Sequence, residues 1–265
     1  MRKDYVDVTE SDAESEAAFQ ERYWTEIWQD GTVPAVNARR MSRKDEYRVM
    51  RPWLDRLPKG ARLFDGGCGF GEWTQFLTQI GYPTLGFDIS RQTIERLRQA
   101  YPDAAFSIGT IESTGEPPES FDGYFSWGVF EHFEAGMQGC LAEAGRILTP
   151  GGLIFISVPF DNLRMALQES GRPLPASPAA IAGQRFYQYR LTRQELAREL
   201  AGAGFEVLRV TPIHKNQGVV RVLQNSFCLP HQALVTRILG RALAPILPGR
   251  WIAHMILAVG RKVIS

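Results

Sequence analysis

The chain has 265 residues, of which 44% are apolar, and its formal net charge is +1. This length and apolar fraction suit one large domain with a packed core, and the near-neutral charge gives no general reason to expect nucleic-acid binding. Three cysteines and four isolated histidines provide neither a disulfide framework nor metal-ligand spacing, which predicts a reduced, metal-free protein of the cytoplasm. The first residues are charged and no long apolar run follows, so we expect neither a signal peptide nor a membrane-spanning helix.

Aromatic and apolar side chains recur at helical spacing in the first sixty residues. One set lies in residues 19–28 and the other in residues 47–57, where the second helix is expected to break or restart at Pro52. We expect the two helices to form an N-terminal helical cap over residues 1–58. Packing into a core is the preferred interpretation of the aromatic stripe, and covering a ligand pocket is the alternative.

The central stretch of the chain is DGGCGFG, residues 65–71, which joins an apolar run to a segment with helical spacing. This order predicts a strand, a tight turn and a helix. Glycines at alternate positions let a ligand lie against the backbone and permit a positive φ. The spacing lacks the dinucleotide fingerprint Gly-x-Gly-x-x-Gly, because Glu72 occupies its last position, so a pyrophosphate-binding turn is disfavoured.

Asp88 ends the next apolar run, about twenty positions beyond the glycines. A carboxylate there can accept hydrogen bonds from both hydroxyls of a ribose. The alternative is that Asp88 only precedes a helix that begins at Ser90. Because the glycines lie at a suitable distance upstream, we favour the ribose-binding role.

Later apolar runs alternate with helical segments, which predicts an α/β fold with a doubly wound, mostly parallel sheet and helices on both faces. In such sheets ligands bind beyond the carboxyl ends of the strands. The candidate residues chosen by this rule, besides the glycine turn and Asp88, are Thr110, Ile111, Glu112, Trp127, Gly128 and residues 159–161.

Four stretches, DGGCGFG, GFDIS, FDGYFSWGVFEHF and RILTPGGLIFISVP, together resemble the successive motifs of the class I S-adenosylmethionine-dependent methyltransferases. LTRQELARELAGAGFEVLRV and HMILAVGRK are similar to the late elements of that family. The resemblance covers residues 60–160 and 190–262 approximately. It implies a seven-stranded sheet with an antiparallel last strand, S-adenosylmethionine as cofactor, and methyl transfer by in-line displacement.

The resemblance also implies a set of cofactor-binding residues: Asp65, Gly67, Gly69, Gly71, Asp88, Ile89, Ile111, Glu112 and Trp127. The rule on strand ends adds Thr110 to this set. In this set Asp88 holds the ribose hydroxyls, Ile89 and Ile111 flank the adenine, and Glu112 faces its amino group. Trp127 lies near the sulfonium.

A general base is needed only if the acceptor atom must lose a proton, as a hydroxyl does. His132, just after the fourth strand, is the candidate base, and the alternative is a histidine that only hydrogen-bonds backbone or substrate. Asp161, Tyr187 and Tyr189 are candidate substrate-binding residues.

Within a methyltransferase domain expected at residues 59–265, two insertions depart from the family pattern. Residues 161–190 predict a lid or acceptor loop. The segment 214–250, more narrowly 217–250, predicts a helix that packs on the domain or on a second subunit of a homodimer, with a membrane-surface helix as the alternative.

The expected acceptor is a small molecule or a glycan- or lipid-linked compound, methylated at oxygen. Two other functions remain open. One is a non-catalytic S-adenosylmethionine-binding protein of the same fold. The other is a nucleotide-dependent oxidoreductase or epimerase, which requires the fingerprint that the glycine turn lacks.

Overall fold

The computed structural model describes residues 1–7, 15–29, 32–165, 184–227, 230 and 233–264. The strands in these residues are β1 (Arg2–Asp7), β2 (Leu63–Gly66), β3 (Thr84–Asp88), β4 (Ala105–Ile108), β5 (Phe121–Trp127), β6 (Leu148–Pro159), β7 (Gln184–Arg190), β8 (Phe205–Ile213) and β9 (Met255–Lys262). The helices are α1 (Glu16–Gln29), α2 (Ala38–Met41), α3 (Asp45–Leu54), α4 (Glu72–Gln79), α5 (Arg91–Ala100), α6 (Gln138–Ile147), α7 (Arg193–Gly202), α8 (Lys215–Phe227), α9 (Leu234–Leu243) and α10 (Gly249–Ile252), with a 3₁₀ turn at Phe130–His132.

Seven strands form one sheet in the order β4-β3-β2-β5-β6-β9-β8. The pairs from β4 to β6 are parallel, whereas β9 is antiparallel to both β6 and β8. The strand order reverses between β2 and β5, which is the place where sheets of this kind bind ligands. The predicted α/β fold, with its seven strands and antiparallel last strand, is confirmed.

Helices cover both faces of this sheet, and the alternation of side chains along each strand decides which residues each helix meets. Phe64 and Tyr124 lie in a core with residues of α6 and α7. Their chain neighbours Leu63 and Phe125 point to the other face and pack with α3 and α4. Because both faces are covered, apolar residues on the central strands point to both sides of the sheet.

The expectation of a helix break at Pro52 is wrong. The helix α3 continues through Pro52 to Leu54. A proline lacks the N–H that would bond the carbonyl four residues earlier, here Arg48, and its ring crowds that carbonyl. Both residues lie on the exposed side of the helix, where the crowding can be relieved toward water. Since Pro52 is in the last turn, water can satisfy that carbonyl and the helix ends undisturbed.

The predicted acceptor loop contains a strand that sequence analysis did not identify. Residues Gln184–Arg190 form β7 and pair antiparallel with β1, so the N-terminal segment of the predicted helical cap begins with a strand. Asp4 accepts hydrogen bonds from Gln188 Nε2 and Arg190 Nε, each at 2.7 Å. The middle of the predicted loop, residues 166–183, lies outside the described residues.

The helices α8 to α10 connect β8 to β9. Ile213, the last residue of β8, pairs with Met255, the first residue of β9, and Met255 also pairs with Pro159 at the carboxyl end of β6. The three helices therefore leave and re-enter the sheet at the carboxyl edge of its parallel strands. In the part of the chain that the structure describes, no helix is both long and apolar enough to cross a membrane.

Candidate functional site

A cavity of about 390 Å³ lies at the carboxyl ends of β2 to β5. Most of the predicted site residues border it: Gly67, Asp88, Ile89, Thr110, Ile111, Glu112, Trp127, Gly128 and His132. Asp65, Gly69, Gly71, Asp161, Tyr187 and Tyr189 are not among the described residues that line it. The sheet topology thus brings together predicted site residues that are up to 65 positions apart in the sequence, from Gly67 to His132.

Asp88 presents a buried carboxylate to the cavity. Its Oδ2 accepts a hydrogen bond from the Gly69 N–H at 2.9 Å, and its Oδ1 accepts one from the Ser90 N–H at 3.0 Å. Burial raises the pKa of Asp88, and these backbone N–H groups partly oppose that rise. The Ile89 N–H also favours the charged form, and because a carboxylate has about four acceptor sites, Asp88 retains capacity for a ligand hydroxyl.

The glycine turn needs its glycines for close packing as well as for conformation. Gly67 has a φ of 79°, and a Cβ there would lie 2.4 Å from Val129 Cγ2. At Gly69 the Cβ would lie 3.0 Å from the Trp28 ring. The turn therefore packs directly under the side chains that border the cavity.

Asp65 lies beneath this turn. Thr74 Oγ1 in α4 donates a hydrogen bond to Asp65 Oδ2 at 2.6 Å. Burial, with the nearby Asp88 charge adding to it, raises the pKa of Asp65 to about 7. In the structure its carboxyl group joins the turn to the first helix after it.

His132 borders the cavity from the 3₁₀ turn after β5. Its Nδ1 is 2.6 Å from the Tyr187 carbonyl oxygen, so Nδ1 carries the proton and donates it there. Burial lowers the pKa of His132 to about 4, although the carbonyls of Tyr187 and Gly128 favour the charged form. The imidazole is therefore neutral at pH 7, with its lone pair on Nε2.

Glu131 is a second buried titratable group that sequence analysis missed. Its Oε1 lies 3.9 Å from His132 Nε2, and its Oε2 has no hydrogen-bond partner among the described residues. Burial raises the pKa of Glu131 to about 8. Because the histidine is neutral and the carboxyl group is mostly protonated, the pair is not an ion pair at pH 7. In the sequence, the feature that could have pointed to Glu131 was its position next to the candidate base His132.

The helix α1 covers the cavity with Gln20, Trp24 and Trp28. Trp28 contacts the Phe70 ring with centroids 4.9 Å apart, and Trp24 lies with its centroid 4.8 Å from that of His132. The alternative interpretation of the aromatic stripe, a cover over a ligand pocket, therefore describes these tryptophans better than core packing. Core packing holds for Phe19, which is buried.

The candidate substrate residues lie around this site in different roles. Tyr187 contributes its carbonyl to His132, and their ring centroids are 4.9 Å apart. Tyr189 is buried and its hydroxyl donates to the Glu134 carbonyl at 2.7 Å. Asp161 accepts from Arg2 Nη1 at 3.4 Å.

Comparison with known proteins gives matches over most of the chain. A family model described as a methyltransferase domain matches residues 41–210. A probable S-adenosylmethionine-dependent methyltransferase of Mycolicibacterium smegmatis is 28% identical over 161 residues, which is 61% of this chain and 58% of that protein. A ubiquinone biosynthesis O-methyltransferase of Sinorhizobium fredii is 27% identical over 166 residues, 60% of this chain and 65% of that protein. Each alignment covers less than two thirds of the relative's own length.

Among solved structures, a similar one is a Burkholderia thailandensis 1,6-didemethyltoxoflavin-N1-methyltransferase with bound 1,6-didemethyltoxoflavin and S-adenosylhomocysteine. The TM-score is 0.55 at 18% identity, and the match covers 98% of this chain and 95% of that chain. This likeness concerns the fold. The domain match, the sheet order and the cavity agree, and the chain belongs to the class I S-adenosylmethionine-dependent methyltransferases.

Proposed function

We propose that this protein transfers a methyl group from S-adenosylmethionine to an oxygen atom of a small-molecule, glycan-linked or lipid-linked acceptor. The observation that carries the proposal is one cavity bordered by the Asp88 carboxylate and by the neutral imidazole of His132. S-adenosylmethionine, when bound, would supply a methyl group activated on a sulfonium: the acceptor oxygen would bond to the methyl carbon while the carbon–sulfur bond breaks and S-adenosylhomocysteine leaves. Oxygen is favoured because a relative of this chain is named an O-methyltransferase.

The residues around the glycine turn suit an adenosine. The Asp88 carboxylate borders the cavity and keeps acceptor capacity beyond its bonds to backbone N–H groups, which suits the hydroxyls of a ribose. Ile89 and Ile111 supply apolar surface on the same side of the cavity, where a purine ring can lie. We assign cofactor binding to these residues together with Gly67, Thr110, Glu112 and Trp127.

His132 is assigned to the acceptor. With Nδ1 held by the Tyr187 carbonyl, Nε2 can accept a hydrogen bond from an acceptor hydroxyl and take its proton as the oxygen–methyl bond forms. A pKa of about 4 makes this imidazole a weak base. We therefore assign most of its contribution to orienting the oxygen, and assign exclusion of water to Trp24 and Trp28.

Calorimetry with S-adenosylmethionine tests the cofactor site. Asp88→Ala should bind the cofactor at least about tenfold more weakly than the parent, because two hydrogen bonds to a charged acceptor are lost. Asp103→Ala, which changes an exposed aspartate, is the matched control and should bind like the parent. Asp88→Asn keeps the side-chain size, so it tests the loss of the carboxylate charge separately from any folding defect caused by Asp88→Ala. Unaltered affinity in both Asp88 variants would contradict the assignment.

Turnover with a panel of hydroxyl acceptors tests the role of His132. His132→Ala should reduce turnover by about a hundredfold or more while leaving cofactor affinity within about twofold. Equal turnover by the variant and the parent would refute the role. Cofactor binding without methyl transfer to any acceptor would instead favour the non-catalytic binding protein.

A further inference from the structure

The helix α9 exposes large apolar side chains. Leu234 is 71% exposed, Val235 51% and Ile238 56%. At about 100° of rotation per residue these three lie on one side of the helix, and the exposed Arg237 and Arg241 border that side. An apolar strip edged by arginines is the pattern of helices that lie in the interface of a membrane.

The opposite side of α9 is already occupied by the domain. Thr236 and Gly240 are buried, and a Cβ on Gly240 would lie 2.8 Å from Val220 Cγ2 in α8. Close packing of the two helices holds α9 in one orientation. Its exposed apolar strip is therefore presented outward, and Ile246, 78% exposed in the turn that follows, extends the same exposed surface along the chain.

Charge along the chain is strongly uneven. Residues 207–265 contain no aspartate or glutamate and eight arginines and lysines, although the whole chain has 29 acidic residues. The net charge of +1 is thus the difference between +8 in residues 207–265 and −7 in residues 1–206. Two of the eight cations, Arg261 and Lys262, pair with Glu206 and Glu119 at the end of β9, and the other six favour an anionic partner for this part of the chain. Neither Arg237 nor Arg241 forms an ion pair with a described residue.

The strip lies at the edge of the sheet that carries the cavity. The helices α8 to α10 join β8 to β9 where Ile213 pairs with Met255, at the carboxyl edge of the parallel strands. Asp88 and Trp127 end their strands at the same edge. A surface held against this edge would lie on the same side of the molecule as the acceptor site.

We infer that α9 and the turn after it dock the protein on the surface of an anionic lipid bilayer. The exposed Arg237 and Arg241 supply attraction to anionic headgroups, and Leu234, Val235 and Ile238 enter the headgroup region. A nucleic acid would match the charge but would leave these apolar side chains in water. A second copy of this chain would match the apolar strip but would bring like charges together.

Vesicle co-sedimentation of the full chain tests the inference. The parent should bind vesicles of phosphatidylcholine mixed with phosphatidylglycerol, and should bind phosphatidylcholine alone at least about tenfold more weakly. Ile238→Asp should weaken binding to the mixed vesicles about tenfold. Replacing both Arg237 and Arg241 by alanine should weaken it by a similar factor and reduce its sensitivity to salt.

Val263→Asp is the matched control, because Val263 is 54% exposed but follows β9 at the opposite edge of the sheet. This variant should bind mixed vesicles like the parent. Absence of parental binding would overturn the inference, as would equal binding by Ile238→Asp, which would mark a purely electrostatic attraction to polyanions. A dimer that Ile238→Asp converts to monomer, without vesicle binding, would also overturn it. The assay needs neither cofactor nor acceptor, so its result is independent of the proposed methyl transfer.

Discussion

Gly66, at the end of β2, lies so close to the Tyr124 side chain that there is no room for a Cβ. A Cβ on Gly66 would lie 2.3 Å from the Tyr124 hydroxyl oxygen, so no larger residue fits without displacing the tyrosine. That hydroxyl is buried and has no hydrogen-bond partner among the described residues. Gly66 is therefore explained by packing, whereas in the sequence it was only an additional glycine in the turn.

The first prediction concerns the two buried hydroxyls near the turn. Tyr124→Phe should leave the free energy of unfolding unchanged or raise it by up to about 1 kcal/mol, because it removes an unsatisfied polar group. Thr74→Val is the matched comparison and should lower it by about 1–3 kcal/mol, because it leaves Asp65 without its 2.6 Å donor. Urea unfolding measures both. A loss above about 1 kcal/mol in Tyr124→Phe would contradict this account.

At the scale of elements, two long-range contacts determine how the added segments join the domain. The strand β7 exists because β1 supplies its partner, and Asp4 ties the pair through Gln188 and Arg190. The helix α8 lies directly on the backbone that leads into β9. A Cβ on Gly218 would lie 1.5 Å from the Ile252 carbonyl oxygen, which only glycine avoids.

The second prediction tests this helix contact. Gly218→Ala should lower the free energy of unfolding by about 1–3 kcal/mol, because α8 must move away from Ile252. Gly202→Ala is the matched control, since Gly202 is exposed in α7 with no atom within 4 Å of an added Cβ. That variant should keep the stability or raise it by up to about 1 kcal/mol. If chemical unfolding showed that both substitutions change the free energy of unfolding equally, the packing of α8 would not depend on the close contact between Gly218 and Ile252.

For the whole molecule, the buried titratable groups determine how stability depends on pH. Glu131 has a pKa of about 8 and Asp65 one of about 7, both raised by burial, so the folded protein holds protons that the unfolded chain releases at lower pH. His132, with a pKa of about 4, has the opposite effect, and its effect ends above its ordinary value of 6.5. Stability should therefore fall as pH rises from 6.5 to 8.

The third prediction isolates Glu131 in that window. The parent should lose about 2–3 kcal/mol of unfolding free energy between pH 6.5 and 8, because one extra proton bound by the folded state corresponds to about 1.4 kcal/mol per pH unit and Glu131 contributes more than Asp65. Glu131→Gln should reduce the slope, because its side chain does not titrate. The exposed Glu206→Gln should keep the parental slope. The measurement is unfolding at several pH values. If the unfolding free energy of Glu131→Gln fell with pH as steeply as that of the parent, the Glu131 carboxyl group would not be the cause of the pH dependence.

Much of the fold followed from local patterns in the sequence. The apolar runs gave the strands of the central sheet, and the family motifs implied its antiparallel last strand, as observed. The boundary of α3 was missed because a proline's effect depends on its position in the helix. The strand β7 was missed because pairing with residues some 180 positions away leaves no mark in its own segment.

Local sequence patterns were enough to predict the class of fold, the glycine turn and the position of Asp88, because these depend on neighbouring residues and on the rule that parallel strands end at one edge. The folded structure was needed to show that α1 covers the cavity, that Glu131 is buried beside His132, and that a Cβ at Gly66 or Gly218 would meet another residue. Each of these depends on contacts between residues distant in the chain. Close packing fixes such contacts only when the whole chain is folded.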